Sequence, residues 1–308
     1  MPAQTLDPRV TERRNPRTVD IDLASAETIV DLMNADDRGV ADAVASQRDA
    51  IAHTITVVEQ AFRSGRRLLY IGAGTSGRLG VLDASECPPT FGTDPAMVVG
   101  LIAGGDRALR TPIEGAEDDP EQGAATMDAN TVTAGDVVVG IAASGTTPFV
   151  RGALARAREL GARTALIACS EPPPAMRDVA EIVILPIVGP EVLTGSTRLK
   201  AGTATKLVCN MITTGAMIRV GKSYGNLMVD MRATNVKLTD RAERIVMEVS
   251  RVSRDEARVL LARAGGAVKL AIVMHALGID AGDAEQRLAA SGGVIRRVIS
   301  HAPPPVTG

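Results

Sequence analysis

The order of a short apolar run, a glycine-rich loop and a helical stretch constrains the fold of this chain most. Residues 67–71 form the apolar run, and residues 72–77 read Gly-Ala-Gly-Thr-Ser-Gly. Residues 78–85 can then open a helix, so the segment predicts a strand that turns sharply into a helix. Its glycines also match the GxGxxG pattern of dinucleotide-binding folds, which makes nucleotide binding a first hypothesis.

The same order of strand, loop and helix recurs along the chain. Further apolar runs predict strands, and later segments have helical spacing. The predicted strands cover residues 97–103, 136–142, 164–169 and 181–186, and the predicted helices cover residues 120–127, 148–160 and 201–219. This alternation predicts an α/β fold, a doubly wound parallel sheet of about five strands with helices on both faces. Ligands of such sheets bind at the carboxyl ends of the strands.

Composition divides the chain into an arm, two domains and a tail. Residues 1–22 are polar and contain prolines, which predicts an N-terminal arm. A sheet domain then covers residues 23–239, and it begins with helices whose apolar residues recur about every 3.6 residues. Residues 240–301 have the pattern of short amphipathic helices with glycine breaks and predict a small C-terminal helical domain. Residues 302–308 form a proline-rich tail.

Charge and composition exclude several classes of function. The chain has 34 basic and 36 acidic residues, and aromatic residues make up only 2% of it. Because a near-neutral chain with so few stacking side chains lacks the surface that nucleic acids require, we expect no nucleic-acid partner. The cysteines and histidines are scattered without metal-binding spacing, and we therefore expect no metal site.

The sequence also indicates where the protein acts. No apolar run approaches the roughly 20 residues that a membrane span needs. The N-terminal residues lack the apolar core of a signal peptide. We therefore expect a cytoplasmic protein with no membrane partner.

Three loops that follow predicted strands share glycines and small hydroxyl side chains. They cover residues 74–77, 144–147 and 193–197. Backbone amides and the dipole at a helix N-terminus favour a bound phosphate, and hydroxyls add directional hydrogen bonds. Helix capping is the alternative for any one loop, but three such loops at one end of a sheet favour a ligand site. The predicted contacts are Thr75, Ser76, Gly77, Ser144, Gly145, Thr146, Thr147, Ser196, Arg198 and Lys200.

A dinucleotide fits this pattern poorly. Dinucleotide-binding folds place an acid about 20 residues beyond the glycine loop, where it binds the ribose. Residues 97–103 contain no carboxylate, and the next acid, Asp106, follows two glycines. The hydroxyls Thr75 and Ser76 suit a single phosphate, so the sequence favours a sugar phosphate over a nucleotide.

Two groups of carboxylates are candidates for acid–base chemistry. Glu86 lies before Pro88 and Pro89 in an apolar segment, which predicts a turn that desolvates the carboxylate. An acidic run at residues 114–119 follows the second predicted strand. Two carboxylates in unequal environments can act as an acid and a base. The alternative for the acidic run is an ordinary solvated loop.

The segment 72–92 resembles the signature of the N-acetylmuramic acid 6-phosphate etherase family, which belongs to the sugar isomerase (SIS) superfamily of phosphosugar-binding domains. Further segments that resemble this family are residues 11–16, 114–118, 143–148, 194–206 and 226–231. The resemblance covers nearly the whole chain.

The resemblance implies an activity and roles for two residues. The family cleaves the lactyl ether at C3 of N-acetylmuramic acid 6-phosphate by elimination and addition of water. The products are N-acetylglucosamine 6-phosphate and D-lactate, in the recycling of cell-wall amino sugars. Glu86 matches the family's acid, and Glu117 matches its second catalytic glutamate, which acts as the base. The resemblance also implies a homodimer, a small sugar phosphate as partner, and no cofactor.

Two other functions fit the same fold. An aldose–ketose phosphosugar isomerase would also remove the C2 proton, but it needs no acid for a leaving group. A non-catalytic sensor of sugar phosphates need not keep both glutamates in place. Release of D-lactate separates the etherase from both.

Overall fold

The computed structural model describes residues 7–231 and 236–305. Residues 1–6 of the predicted arm, residues 232–235, and residues 306–308 of the predicted tail lie outside the described residues. The sheet strands are β1 (Leu68–Gly72), β2 (Val98–Ile102), β3 (Val137–Ile141), β4 (Arg163–Ile167) and β5 (Ile182–Ile184). Within the described ranges they form one parallel sheet of five strands in the order β2-β1-β3-β4-β5. The predicted α/β class is confirmed.

Helices precede the sheet and connect its strands. They are α1 (Ala26–Asp37), α2 (Val40–Ala45), α3 (Arg48–Arg63), α4 (Gly74–Phe91), α5 (Pro120–Ala129), α6 (Pro148–Glu159), α7 (Pro174–Arg177) and α8 (Lys200–Arg219). The N-terminal segment with apolar residues about every 3.6 residues forms separate helices, since α2 ends at Ala45 and α3 begins at Arg48.

The chain divides into two compact units. One comprises Met1–Ser85 with Ala96–Thr213 and contains the sheet. The other comprises Glu86–Pro95 with Thr214–Gly308. The elements of this second unit after residue 214 are an unpredicted hairpin of β6 (Ser223–Tyr224) and β7 (Leu227–Met228), followed by α9 (Val236–Ser250), α10 (Arg254–Arg263), α11 (Val268–Leu277), α12 (Ala281–Ala290) and α13 (Ile295–Ile299).

Helix α11 supplies the centre of the second unit's core. Its residues from Leu270 to Met274 are buried among apolar side chains of the neighbouring helices. Among the described helices, none alone is long and apolar enough to cross a membrane, and the bent pair α10 and α11 passes that test only by length and composition.

The central strands are apolar along their whole length because both faces of the sheet are covered. Every residue of β1 and of β3 is buried, as expected for parallel strands between two helical layers. Leu69 and Val138 pack in one cluster with Phe149 and Leu154 of α6. The carboxyl ends of these strands are thereby held together at one edge of the sheet.

The glycines of the first loop allow close packing of strand and helix. A Cβ at Gly77 would lie 2.5 Å from Cγ1 of Ile102 and 2.8 Å from the carbonyl oxygen of Gly72. Gly74 has a φ of +52°, a conformation that only glycine adopts readily. A steric or conformational requirement therefore explains why Gly74 and Gly77 are glycines, without a bound nucleotide.

Helix α4 is longer than the sequence predicts. It runs to Phe91 and contains Pro88 and Pro89, so the turn predicted around Glu86 is wrong. The helix ends within one turn of these prolines, where Gly92 donates to the carbonyl of Pro88 at 2.9 Å. Each proline lacks the N–H that would donate to the carbonyl four residues before it, so each removes one helical hydrogen bond. The side chain of Glu86 is exposed, so the desolvation predicted for it is also wrong for the single chain.

The described part of the arm is fixed to the sheet unit by buried hydrogen bonds. The amide of Thr11 donates to Oγ of Ser170 at 3.2 Å, and the hydroxyl of Ser170 donates to Oγ1 of Thr11 at 3.2 Å. The amide of Gly195 donates to the carbonyl of Thr11 at 3.1 Å. Further along, the hydroxyl of Thr18 donates to the carbonyl of Val192 at 2.8 Å. Because Thr11 and Ser170 are fully buried, this contact sets the position of residues 9–12.

A buried ion pair connects α1 to the start of α8. Nζ of Lys200 lies 2.6 Å from Oδ2 of Asp36 and donates to the carbonyl of Pro190 at 2.9 Å. Arg17 and Asn15 of the arm also donate to Asp36. Glu191 accepts the amides of Lys200 and Ala201 at the first turn of α8. Lys200 is 4% exposed, so its predicted contact with substrate anions is corrected here to a structural role.

A second buried ion pair closes the amino-terminal edge of the sheet. Asp136, just before β3, accepts the amide of Arg67 at 3.0 Å and Nη2 of Arg67 at 2.7 Å. It also accepts the amide of Thr133 at 3.1 Å. Burial alone would raise the pKa of Asp136, but the hydrogen bonds from Arg67 and Thr133 lower it below its ordinary value of 3.8.

We expect Lys200→Met to destabilise the fold, because it leaves the buried Asp36 with fewer partners. The free energy of unfolding, measured by urea denaturation, should fall by about 3 kcal/mol. Lys206→Met, on the exposed side of the same helix, is the control and should change it by less than about 0.5 kcal/mol. A Lys200→Met protein of unchanged stability but weakened substrate binding would restore the original prediction.

The pair of Asp136 and Arg67 should make stability depend on pH. A lowered pKa in the folded state means that the carboxylate stabilises the fold above the unfolded value and loses this effect as the pH falls through the folded value. Asp136→Asn should therefore cost about 3 kcal/mol at pH 7, and the difference from wild type should shrink below pH 3.8. Urea denaturation across this range measures it. Asp128→Asn, which removes an exposed ion pair with Arg156, should cost less than about 1 kcal/mol; equal losses in both variants would contradict the argument.

Candidate active site

A cavity lies at the carboxyl ends of β1 and β3. It has a volume of about 430 Å³, within the range of small-molecule sites. Its lining residues are Arg9, Glu12, Ala73, Gly74, Thr75, Ser76, Glu117, Asp118, Ala143, Ser144, Thr146, Thr147, Pro148, Gly195 and Thr197. The structure thus brings together hydroxyls from all three of the loops that the sequence analysis selected.

The first wall of the cavity is the start of α4. Thr75 and Ser76 lie in its first turn, directly after Gly74, the first residue of the helix. The first amides of a helix have no partner within the helix. The helix dipole adds a partial positive charge at the same place. This wall therefore offers both hydroxyl and amide donors to an anion.

The second wall is the loop between β3 and α6. Oγ of Ser144 lies 3.0 Å from Oγ1 of Thr146, and the amide of Thr146 donates to Oγ of Ser144 at 3.4 Å. Thr147 is the N-cap residue of α6, yet its hydroxyl makes no capping hydrogen bond within the described structure. Capping therefore does not account for this hydroxyl, and Thr147 is one of the residues that line the cavity.

Gly145 shapes this loop without contributing to the lining. Its φ is +76°, and a Cβ there would lie 3.0 Å from the carbonyl oxygen of Ser170. The predicted contact of Gly145 is therefore corrected to a conformational role. Gly77 also falls outside the lining residues, because its Cα faces Ile102 and β1.

Glu117 is held beside the start of α6. Its carbonyl oxygen accepts the amide of Phe149 at 3.0 Å, and Glu117 lines the cavity together with Asp118. Glu114 of the same acidic run lines a different cavity, at the outer side of β2. The structure therefore separates the acidic run into residues that face the hydroxyl-rich cavity and residues that do not.

The third loop contributes less than predicted. Gly195 and Thr197 line the cavity, but Ser196 and Arg198 are not among its lining residues. The side chain of Arg198 is exposed, and Lys200 is buried against Asp36. Neither of these basic residues is therefore among the described residues that line this cavity in the single chain.

Glu86 lies in a different part of the chain from the residues that line the cavity. It is on α4, ten residues after Ser76, and belongs to the second compact unit, where its side chain is exposed. It is not among the residues that line the cavity.

Two lining residues from the arm, Arg9 and Glu12, were not predicted as site residues from the sequence. Glu12 falls within the family-like segment 11–16, whereas no pattern marked Arg9. Arg9 donates from Nε and Nη2 to Asp7 at 3.0 and 2.8 Å. These hydrogen bonds lower the pKa of Asp7 to about 2, so the pair stays ionised at neutral pH.

The lining is mostly negative in charge. Among the described residues that form it, Glu12, Glu117 and Asp118 carry carboxylates and Arg9 is the one cation. In residues 7–231 and 236–305, no cluster of histidine, cysteine, aspartate or glutamate side chains could hold a metal ion. An anionic ligand here would depend on hydroxyls, on amides of helix N-termini and on Arg9.

Known proteins resemble this chain over most of its length. Residues 50–158 match the family model of the glucokinase regulatory protein N-terminal SIS domain. An N-acetylmuramic acid 6-phosphate etherase from Serratia proteamaculans is 53% identical over 94% of this chain and 98% of its own length. Etherases of the same name from Brucella anthropi and Mycolicibacterium smegmatis are 53% and 52% identical, over 96% and 94% of this chain and 96% and 97% of their own lengths. The chain belongs to the N-acetylmuramic acid 6-phosphate etherase family.

Proposed function

We propose that this chain is an enzyme that cleaves the lactyl ether of N-acetylmuramic acid 6-phosphate. The products are N-acetylglucosamine 6-phosphate and D-lactate. Because a carbon–oxygen bond is cleaved by elimination, the enzyme would be a carbon–oxygen lyase. It would act in amino sugar recycling in the cytoplasm. The observation that carries the proposal is identity of more than half over nearly the full length of etherases from distant bacteria. The cavity at the carboxyl ends of β1 and β3 supports it, because its donors suit a sugar phosphate.

The phosphate would lie between the first turns of α4 and α6. Ser76 and Ser144 lie on these two walls, and Thr147 adds a hydroxyl that helix capping does not use. Hydroxyls and free amides bind a phosphate dianion without a surplus of basic side chains. This agrees with a cavity that has a single cationic side chain among its described lining residues.

The reaction would start from the open-chain sugar, whose C1 aldehyde acidifies the proton on C2. Glu117 would remove this proton, and the C3–O bond to lactate would break as an acid protonates the departing oxygen. Water would then add across the resulting C2–C3 double bond, with its oxygen at C3 and a proton at C2. An ether oxygen leaves poorly, so acid assistance matters for the rate. We assign the acid to Glu86.

Glu86 is exposed and does not line the cavity of its own chain. In a homodimer, Glu86 of the second copy could instead supply the acid to this cavity. The exposed apolar residues Leu82 and Met211 support an interface on α4 and α8. These helices contact each other where the hydroxyl of Thr213 donates to Asp83 at 2.6 Å. Light scattering coupled to size-exclusion chromatography measures the oligomeric state.

The activity is tested by incubation with N-acetylmuramic acid 6-phosphate and enzymatic measurement of D-lactate. A phosphosugar isomerase or a sugar phosphate sensor would release none. A folded, soluble preparation that binds N-acetylglucosamine 6-phosphate but releases no D-lactate would overturn the proposal. In ¹⁸O-labelled water, the label should appear at C3 of the product.

Glu86→Gln and Glu117→Gln should each lower kcat by about 10²- to 10⁴-fold, because each removes one proton-transfer group. Binding of N-acetylglucosamine 6-phosphate, measured by calorimetry, should persist in both. Glu114→Gln is the matched control from the same acidic run, since Glu114 lines a different cavity. A near-normal rate for Glu86→Gln would remove it as the acid, and a comparable loss in Glu114→Gln would contradict the assignment of Glu117.

Ser144→Ala should raise the KM by about tenfold or more, because a hydrogen bond to a charged group contributes about 1.5–3 kcal/mol. Ser196→Ala provides the comparison, since Ser196 was predicted from the sequence but does not line the cavity. Steady-state kinetics on both variants decide the point. Equal effects at the two positions would show that the cavity does not locate the phosphate.

A further inference from the structure

The turn at residues 9–12 forms part of the cavity wall. Buried hydrogen bonds of Thr11 fix the position of this turn. Thr11 lies at the centre of this turn, where it is fully buried and hydrogen-bonded to Ser170 and to the amide of Gly195. The residues on either side, Arg9 and Glu12, line the cavity. The arm therefore presents two charged side chains to the ligand from a fixed backbone.

Arg9 is suited to bind an acceptor in the cavity. Its Nε and Nη2 donate to the two carboxylate oxygens of Asp7, which fixes the plane of the guanidinium group. Nη1 contacts no hydrogen-bond acceptor among the described residues. The side chain is 40% exposed, so its outer donors are open to a ligand.

The substrate of the proposed reaction carries two anionic groups, a phosphate and the carboxylate of the lactyl ether. Hydroxyls and helix N-termini on α4 and α6 account for the phosphate. The carboxylate has to lie in the same cavity as Glu12, Glu117 and Asp118, each of which repels it. Arg9 is the one cation of the described lining that can offset this repulsion.

We propose that Arg9 is a specificity-determining residue that binds the lactyl carboxylate of the substrate. The inference rests on the proposed function, since it assigns a second anion site within the same cavity. Binding the carboxylate at Arg9 fixes which part of the cavity the leaving group occupies. This contact also lets the enzyme bind the substrate in preference to the product N-acetylglucosamine 6-phosphate, which keeps the phosphate but has no carboxylate.

Arg9→Gln tests this assignment. The KM for N-acetylmuramic acid 6-phosphate should rise by about 10- to 100-fold, the value of a charge-assisted hydrogen bond. The inhibition constant of N-acetylglucosamine 6-phosphate should change by less than about twofold, because that ligand does not use Arg9. Arg9→Lys should restore part of the affinity for the substrate, since it keeps the charge and loses the planar guanidinium.

Arg14→Gln is the matched control, because Arg14 is an exposed arginine of the same arm that does not line the cavity. It should leave the KM and the inhibition constant unchanged. If Arg9→Gln weakens substrate and product equally, Arg9 binds the phosphate or supports the wall, and the inference is wrong. If Arg9→Gln changes neither value, the inference is also wrong. Absence of D-lactate release by the wild-type protein would instead overturn the proposed function, so the two failures are distinguishable.

Discussion

The close packing of β1 against the start of α4 is the constraint on which the cavity depends. With no Cβ at Gly77, the helix approaches Ile102 of β2 and the carbonyl of Gly72 to distances that any other residue would forbid. This approach places Thr75 and Ser76 at the edge of the sheet, beside the loop that follows β3. A side chain at Gly77 would push the helix start away, and the two hydroxyl-bearing walls would no longer face the same space. The GxGxxG pattern thus has its explanation in backbone packing rather than in a pyrophosphate.

The sheet itself was predictable because its signals are local. Each strand is a short apolar run that ends at a glycine, a small residue or a polar loop, and parallel strands buried on both faces need no alternation. The loops at 74–77 and 144–147 were also identified from residue type alone, because hydroxyls and glycines after a strand restrict what the loop can do. Predictions of this kind depend on neighbours in sequence, and the structure places both loops at one cavity.

One prediction failed for a local reason, and other features were missed because they depend on contacts between distant residues. Glu86 was expected in a desolvating turn because prolines usually end a helix, but α4 continues to Phe91 and leaves the carboxylate exposed. Residues 1–22 were predicted only as an arm, and nothing in them shows that Thr11 contacts Ser170, which lies 159 positions away. The lining residues Arg9 and Glu12 follow from that one contact. The family-like segment 11–16 includes Glu12, but no periodicity or motif in the arm marks Arg9 as part of a site.

Lys200 and Arg9 show why a basic residue near a helix N-terminus or a cavity is ambiguous in sequence. Both sit near loops that favour anions, and both have a carboxylate partner in the structure. The difference lies in where that partner is. Asp36 is buried on α1, and it fixes Lys200 away from the cavity with three donors around it. Asp7 lies two residues from Arg9 at the surface and uses only one edge of the guanidinium group. A buried counter-charge from a distant element makes a cation structural, whereas a local, partly exposed counter-charge orients a cation and leaves donors for a ligand.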